Sequence, residues 1–202
     1  MGNSSGTTID LKLKVARAQL ATALDLFVRN KDPVSIHSLA CGAGEVLDHI
    51  ATAKGAEPLS THILANQPHY DEPKLRGVRN KYWNAFKHLT QRDGMMREDE
   101  ALLSDFSDSQ NDAALFVGWH DYHVITGKLP VAAQVFQVWW YALNEDKLRR
   151  ADCQTIRRAF PNLTGVKRAE QKRRLRRAVE KWEKNANLLA DSRTEEDLHW
   201  RA

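Results

Sequence analysis

Residues 79–92, RNKYWNAFKHLTQR, carry the side chains of this sequence that are best suited to chemistry. At about 100° per residue, one flank of a helical wheel collects four polar side chains with spacings of 3, 4 and 4: Lys81, Asn84, His88 and Arg92. Cations and an amide beside an imidazole can bind a phosphate, and the imidazole can accept a proton near neutral pH. The pattern predicts a catalytic stripe with His88 as general base. The alternative is an amphipathic helix with a solvated polar flank.

Helical periodicity predicts the elements that would position this stripe. The expected helices cover residues 9–30, 33–54, 60–66, 73–92, 112–126, 131–143, 144–160 and 166–190. Asp32 is expected to cap the second helix, with Pro33 in its first turn. Because we find neither alternating strand patterns nor an Asn-Gly hairpin, we predict an all-α fold. It consists of a helical bundle over residues 1–143 and a basic helical extension over residues 144–202.

The predicted helix over residues 73–92 also has an apolar face. Five side chains on this face are expected to point into the bundle: Val78, Tyr82, Ala85, Phe86 and Leu89. Two further helices, residues 112–126 and 131–143, are rich in aromatic residues and are expected to pack antiparallel across a short link. The first of them is predicted to be the central helix of the bundle.

Small residues occur within the second predicted helix, in SLACGAGEVLDH. The segment resembles the glycine loop of class I methyltransferases, which would imply a bound cofactor. However, that loop follows a strand, whereas the helical period here continues through Gly42 and Gly44, and Ser38 stands where the loop has an acidic residue. We therefore predict a helix whose small residues allow a neighbouring helix to approach closely.

The composition is that of a globular protein. The chain has 202 residues, of which 42% are apolar and 28% charged, enough for one substantial core. The longest apolar stretch, residues 129–143, is shorter than the roughly 20 residues of a membrane span, and the first residues lack the pattern of an export signal. Cys41 and Cys153 are far apart and form no CxxC motif. We expect a cytoplasmic protein without disulfides and without membrane association.

His120, Asp121 and His123 have the residue types of a metal site. On a helical wheel the two histidines lie about 60° apart, while the aspartate points away from both. With no further ligand one turn away, a hydrogen-bonded core histidine is favoured at position 123 over a zinc ligand. No metal and no cofactor are predicted.

The arrangement of helices resembles the HEPN superfamily over about residues 9–143. Two opening helices joined by an Asp-Pro turn, and Asn84-Ala-Phe-Lys-His88 on a later helix, carry this resemblance. It implies a helical domain that forms dimers and, in several branches, cleaves RNA without a metal. The active members have an Arg, four to six residues and then a His.

His88 matches the histidine of that motif, but the arginine is displaced. Arg79 is nine positions away and would lie on the opposite flank of a continuous helix. Lys81 has the family spacing and the correct flank, but it lacks the bidentate guanidinium. The resemblance therefore implies an altered or non-catalytic domain rather than an intact nuclease.

The second candidate site is the basic C-terminal part of the chain. Residues 146–187 contain 14 Lys/Arg and 5 Asp/Glu. A phosphate backbone could lie along six cations of the predicted last helix: Arg173, Arg174, Arg176, Arg177, Lys181 and Lys184. The alternative is a solvated helix in which Glu180 pairs with Arg176 and Lys184.

The sequence thus favours a helical module that binds RNA or a nucleic-acid complex without strong nuclease activity. One alternative is a metal-independent endoribonuclease that uses His88. Another is a protein-interaction component in which the exposed ends of the aromatic helices bind a partner, without any affinity for nucleic acid. Homodimers are expected from the family resemblance.

Overall fold

A computed structural model describes residues 4–148 and 150–195. In chain order, the α-helices are α1 (Ser4–Val28), α2 (Pro33–Ala53), α3 (Leu59–Asn66), α4 (Glu72–Lys87), α5 (Glu100–Ser104), α6 (Gln110–Thr126), α7 (Val131–Leu143), α8 (Arg150–Ala159), α9 (Arg168–Trp182) and α10 (Ala186–Leu189). A 3-10 turn covers Glu145–Lys147. The only extended pairing between named strands in these ranges joins β1 (Leu129–Pro130) and β2 (Thr194–Glu195) in parallel. The prediction of an all-α fold is confirmed.

The core lies where α1, α2, α6 and α7 meet. Leu20, Phe27, Leu47, Trp119 and Trp139 are completely buried there. The Phe116 ring stacks on Trp140 with centroids 3.7 Å apart. Phe116 lies nearly three turns before the end of α6, and Trp140 lies nearly three turns after the start of α7. Because these two residues are in contact, the two helices run antiparallel, as predicted.

The beginning of α2 follows from local sequence. The Asp32 carboxylate accepts a hydrogen bond from the Ser35 backbone N–H at 2.8 Å, and Pro33 occupies the first turn, where no N–H is needed. The predicted cap is confirmed. The helix then continues through Gly42 and Gly44, so the glycine-loop alternative is wrong.

Of the glycines in the bundle helices, the closest approach of a neighbour is at Gly118 of α6, whereas a Cβ added to Gly42 would make an ordinary contact of 3.6 Å with Trp83. A Cβ added to Gly118 would lie 2.6 Å from Leu20 Cδ2, which means that α1 and α6 meet where only a hydrogen atom fits. By contrast, a Cβ at Gly44 would meet nothing within 4 Å, although Gly44 is buried. Gly44 therefore adjoins empty space.

The basic segment packs on the helices that precede it. Leu175 and Val179 of α9 belong to the same buried cluster as the core side chains of α1 and α7. Trp139 donates its indole N–H to the carbonyl of Gln171 at 3.1 Å. The division of the chain at residue 143 stays a prediction. A single helix over residues 166–190, however, is wrong, because Asn185 caps a separate α10 by accepting from the Leu188 N–H.

The strand β2 is held against the bundle by side chains far away in sequence. Glu195 accepts two hydrogen bonds from Arg17 of α1, at 3.0 and 2.7 Å, and one from the Tyr122 hydroxyl. Gln134 of α7 donates to the Thr194 hydroxyl at 2.9 Å. These contacts join the first helix, the central helix and residue 195. None of the helices in the described ranges has the length and apolar character of a membrane span.

Candidate functional site

The predicted catalytic stripe does not lie on one helix. α4 ends at Lys87, and His88 has extended backbone angles of φ −123° and ψ 122°. The chain then folds back, with the Gln91 N–H bonded to the Met95 carbonyl at 2.7 Å and Gly94 at φ 84°. The helix predicted over residues 73–92 is therefore too long, and the common flank inferred from it is wrong.

The four predicted residues consequently occupy different surroundings. His88 is exposed and lines an open groove of about 430 Å³. Lys81 lines a second cavity, while Arg92 is exposed and lines neither of the two. The carbonyl of Asn84 accepts the His88 N–H, but its amide side chain makes no hydrogen bond within the described residues.

The groove beside His88 contains other charges that could face a ligand. Arg97 lies there and donates two hydrogen bonds to Asp99, at 2.6 and 2.9 Å. This bidentate pair occupies the guanidinium fork that a phosphate would need. The structure therefore does not assemble His88 with the predicted cations in one subunit.

The buried face of α4 also differs from the expected one. Tyr82 is buried as predicted, but Val78 and Leu89 are 54% and 72% exposed. Leu75 and the polar Asn80 are buried instead. Arg79, the displaced arginine of the family motif, forms an ion pair with Asp48 of α2 at 3.4 Å.

A cavity of about 340 Å³ lies between α2, α4 and α6 and is lined by His37. His37 is 3% exposed, and its Nδ1 lies 3.0 Å from Asn111 Oδ1. The Asn111 amide donates to the Pro33 carbonyl at 3.1 Å, which places Oδ1 toward the histidine. Since an amide oxygen only accepts, His37 Nδ1 carries the proton and Nε2 is an acceptor. Nε2 has no partner within the described residues.

Burial favours the neutral forms of His37 and Cys41. Desolvation lowers the pKa of His37 more than the Asn111 hydrogen bond raises it. Cys41 also lines the cavity, and burial raises its thiol pKa to about 12. Neither group is poised as a nucleophile. Three rings, Tyr82, Phe86 and Phe106, pack around the imidazole at interplanar angles of 73–88°, with centroids 5.3–5.9 Å away.

The sequence predicts a hydrogen-bonded core histidine at position 123, and this prediction is wrong. His123 is exposed, whereas His37 is the one buried histidine among those that the structure describes. Asp121 is fully buried, and its Oδ1 accepts the Leu59 N–H at 2.8 Å and lies 3.2 Å from His120 Nδ1. Within residues 4–148 and 150–195, no three His, Cys, Asp and Glu side chains converge as metal ligands.

The cations of α9 divide into an inward and an outward set. The inward set is the Asp108 cluster, in which two carboxylates and two cations meet: Asp108, Asp112, Arg168 and Lys172. Lys172 Nζ lies 2.8 Å from Asp108 Oδ1 and 4.1 Å from the Phe27 ring centroid. Arg168 bridges both carboxylates with donor–acceptor distances of 2.5–2.9 Å. Two cations counted in the basic segment are therefore neutralised by aspartates outside it.

The outward set contains five of the six predicted phosphate-binding residues, and the sixth, Lys184, lies beyond the end of α9 at Trp182. Arg173 and Arg174 share Glu170, and Arg174 also donates to the Pro161 carbonyl at 2.8 Å. Arg176 lies 3.7 Å from Glu180, so this part of the solvated-helix alternative is present. Arg177, Lys181 and Lys184 form no ion pair with any residue of the ranges 4–148 and 150–195.

One stripe of this set points directly away from the core. Arg173, Arg177 and Lys181 are spaced four residues apart and are all exposed. Consecutive members are therefore separated by about 6 Å along the helix axis. We call these three residues the α9 ridge.

Comparisons with known proteins found no matching family model, no matching curated protein and no matching solved structure.

Proposed function

We propose that the protein is a helical module that binds single-stranded RNA through the α9 ridge and has no strong nuclease activity of its own. The observation that carries the proposal is the ridge itself, a regular row of exposed cations on a helix whose opposite face is fixed in the core. Phosphate contacts of this kind give affinity without sequence preference. The resemblance to HEPN domains is a reason to test RNA before DNA.

Anchoring of α9 supports this proposal. Leu175 and Val179 are buried, and Lys172 and Arg168 are bonded to aspartates on the other side of the helix. The ridge is thus presented on a fixed element, so binding does not require the helix to order. Glu170 is shared by two arginines, which leaves that group of three side chains with a net positive charge.

Separation of the predicted catalytic residues supports binding over cleavage. His88 lines the groove beside the Arg97–Asp99 pair, and Lys81 lines another cavity. General base catalysis of RNA cleavage needs a cation near the phosphate that the histidine serves. Neither of the predicted cations, Lys81 and Arg92, lines the groove of His88, and the Arg97 guanidinium there is paired with Asp99, so the structure supports the endoribonuclease alternative less well.

The proposal predicts a modest and strongly salt-dependent affinity. Three phosphate contacts on a single strand give a slope of log K against log salt of about −2. Raising salt from about 50 to about 200 mM should then weaken binding about 20-fold. The dissociation constant at the lower salt concentration should be on the order of 10 µM.

Fluorescence anisotropy with a labelled single-stranded RNA of about 12 nucleotides tests this proposal. The Arg177→Gln/Lys181→Gln variant should reduce the salt slope to about −0.7 and weaken binding at low salt. The matched control is Lys12→Gln/Lys14→Gln, which removes the same charge from exposed positions on α1. Equal effects of both double variants, or affinity that does not change with salt, would contradict the proposal.

A further inference from the structure

Trp182 is the most exposed tryptophan that the structure describes. It is 38% exposed, whereas Trp119 and Trp139 are completely buried, and Trp83 and Trp140 are half-buried. Trp182 also makes no ring–ring contact with any residue of the ranges 4–148 and 150–195. A single exposed apolar side chain is common on protein surfaces, so its position decides what it indicates.

The Trp182 ring lies next to the last cation of the α9 ridge. Trp182 directly follows Lys181 and is the last residue of α9. The Nζ atom of Lys181 lies 5.4 Å from the centroid of the Trp182 ring. Because only the sugar separates the phosphate of a nucleotide from its base, a phosphate bound to Lys181 brings that base close to the indole. Cations that track a backbone, combined with an aromatic ring, are typical of proteins that bind single strands.

The backbone that carries this ring is fixed. Val179 is buried in the preceding turn, and its carbonyl accepts the Glu183 N–H at 2.9 Å. The Trp182 carbonyl accepts the N–H of Asn185, the residue that caps α10, at 3.0 Å. The indole N–H, by contrast, makes no hydrogen bond within the described part of the chain. The ring is therefore attached to a held backbone, while its polar edge and part of its surface are open to a ligand.

We infer that Trp182 is a base-stacking site at the end of the α9 ridge. The phosphates of a single strand lie along the ridge, and one unpaired base stacks on the indole. This inference rests on the proposed function of the ridge, to which it adds a contact that a duplex cannot make, because the bases of a duplex are already paired and stacked. Every base has a flat aromatic face, so stacking of this kind adds affinity and stays tolerant of sequence.

Two strands of equal charge separate stacking from phosphate binding. Labelled oligouridylate of about 12 nucleotides has bases that stack little on one another, whereas an abasic strand of the same length has the same phosphates and no bases. Fluorescence anisotropy at about 50 mM salt should show about tenfold weaker binding of the abasic strand, the size expected for one base on an aromatic side chain. The salt slope should be about −2 for both strands, because the phosphate contacts are the same.

Substitutions of Trp182 assign this difference to the ring. Trp182→Leu keeps the charge and an apolar side chain, so it should weaken oligouridylate binding about tenfold without changing the salt slope or the affinity for the abasic strand. Trp182→Phe retains a ring and should recover part of the loss. The matched control is Trp83→Leu, which removes a half-buried ring of α4 that lies 3.3 Å from Lys87 Nζ, and it should bind both strands as the wild type does.

The indole N–H gives an independent readout. In a proton–nitrogen spectrum, the resonance that is missing from Trp182→Leu belongs to Trp182, and oligouridylate should shift it more than the abasic strand does. Equal affinity of the wild type for both strands, or oligouridylate binding unchanged in Trp182→Leu, would overturn the inference, and a salt-dependent affinity would then still support the ridge. Absence of binding of either strand at about 0.5 mM would overturn both. If Trp182→Leu fails to fold, the comparison of the two strands on the wild type still decides the inference.

Discussion

Lys172 offers the most direct test of how α9 is held to the bundle. Its side chain is 2% exposed, and its ammonium group contacts Asp108 and the Phe27 ring. Lys172→Met keeps the length of the side chain and its apolar packing but removes the charge. A charged hydrogen bond contributes about 1.5–3 kcal/mol and a desolvated cation–π contact about 1–2 kcal/mol. The variant no longer has to desolvate an ammonium, which offsets part of this loss.

The expected result is a decrease of about 2 kcal/mol in the free energy of unfolding. Arg168 still pairs with Asp108, so the carboxylate is not left alone and the larger penalty of an isolated buried charge does not apply. In urea denaturation, with a slope of about 3 kcal/mol per molar, the midpoint should fall by about 0.7 M. Because the pair is shielded from solvent, this change should persist at high salt.

The pH dependence supplies a second, independent check. Burial acts to raise the pKa of Asp108, but the hydrogen bond and charge of Lys172, together with Arg168, outweigh burial and hold it below its ordinary value. A lowered pKa in the folded state gives stability that is present above the ordinary pKa of about 4 and is lost as pH falls. The decrease in the free energy of unfolding caused by Lys172→Met should therefore have its full size at pH 7 and become smaller below about pH 4.

A double-mutant cycle isolates the pair itself. Asp108→Asn, Lys172→Met and the double variant should show a coupling of about 1–3 kcal/mol at pH 7. The reasoning would be refuted if Lys172→Met lowered the free energy of unfolding by less than about 0.5 kcal/mol, or if it lowered that free energy equally at pH 3 and pH 7.

Three further predictions concern single side chains. Gly118→Ala should lower the free energy of unfolding by about 1–3 kcal/mol, because its methyl group would overlap Leu20, whereas Gly44→Ala should leave it unchanged or raise it by up to about 1 kcal/mol. Cys41 should resist iodoacetamide at pH 8 until the protein unfolds, because its thiol pKa is about 12; rapid labelling in native buffer, detected by mass, would contradict its burial. With a labelled RNA pool in EDTA, the wild type and His88→Ala should give identical, uncleaved patterns; products lost in the variant would show a catalytic histidine.

The elements set by local sequence were predicted well. Asp32 and Pro33 define the beginning of α2 through a side-chain cap and a fixed backbone angle, and both lie next to the helix that they begin. The apolar run of α7 ends where its predicted bounds place it. Here helical period and end signals agree, and tertiary contacts do not alter them.

The catalytic residues were predicted to share one helix face, and this prediction was wrong because a turn signal in the local sequence was given too little weight. Asp93-Gly94 is a turn signal, and in the structure Thr90 pairs with Met96 around it. The predicted helix continues to Arg92, whereas α4 ends at Lys87, before this turn. Similarly, Asn185 is a capping residue inside what was predicted as one helix.

The Asp108 cluster could not be found from the sequence in the same way. Of its two pairs, Arg168 and Lys172 are four residues apart on one face of α9, whereas Asp108 lies in the turn before α6 and Asp112 in the first turn of α6. This spacing is a signal, but charged residues at such intervals are common on solvated helices. Some 60 residues separate the two pairs, and only their meeting in the fold shows that two of the basic residues point inward.

The ties from Arg17 and Tyr122 to Glu195 have a consequence for how the protein is made. Arg17 leaves the ribosome early, but its partner lies 178 residues later in the chain. At about 5–20 residues per second, translation separates the two by roughly 10–40 s. During that interval α1 and α2 can pair, but the hydrogen bonds between Arg17 and Glu195 cannot form. The contacts that tie α1 and α6 to β2 through Glu195 can therefore form only after residue 195 has been synthesised.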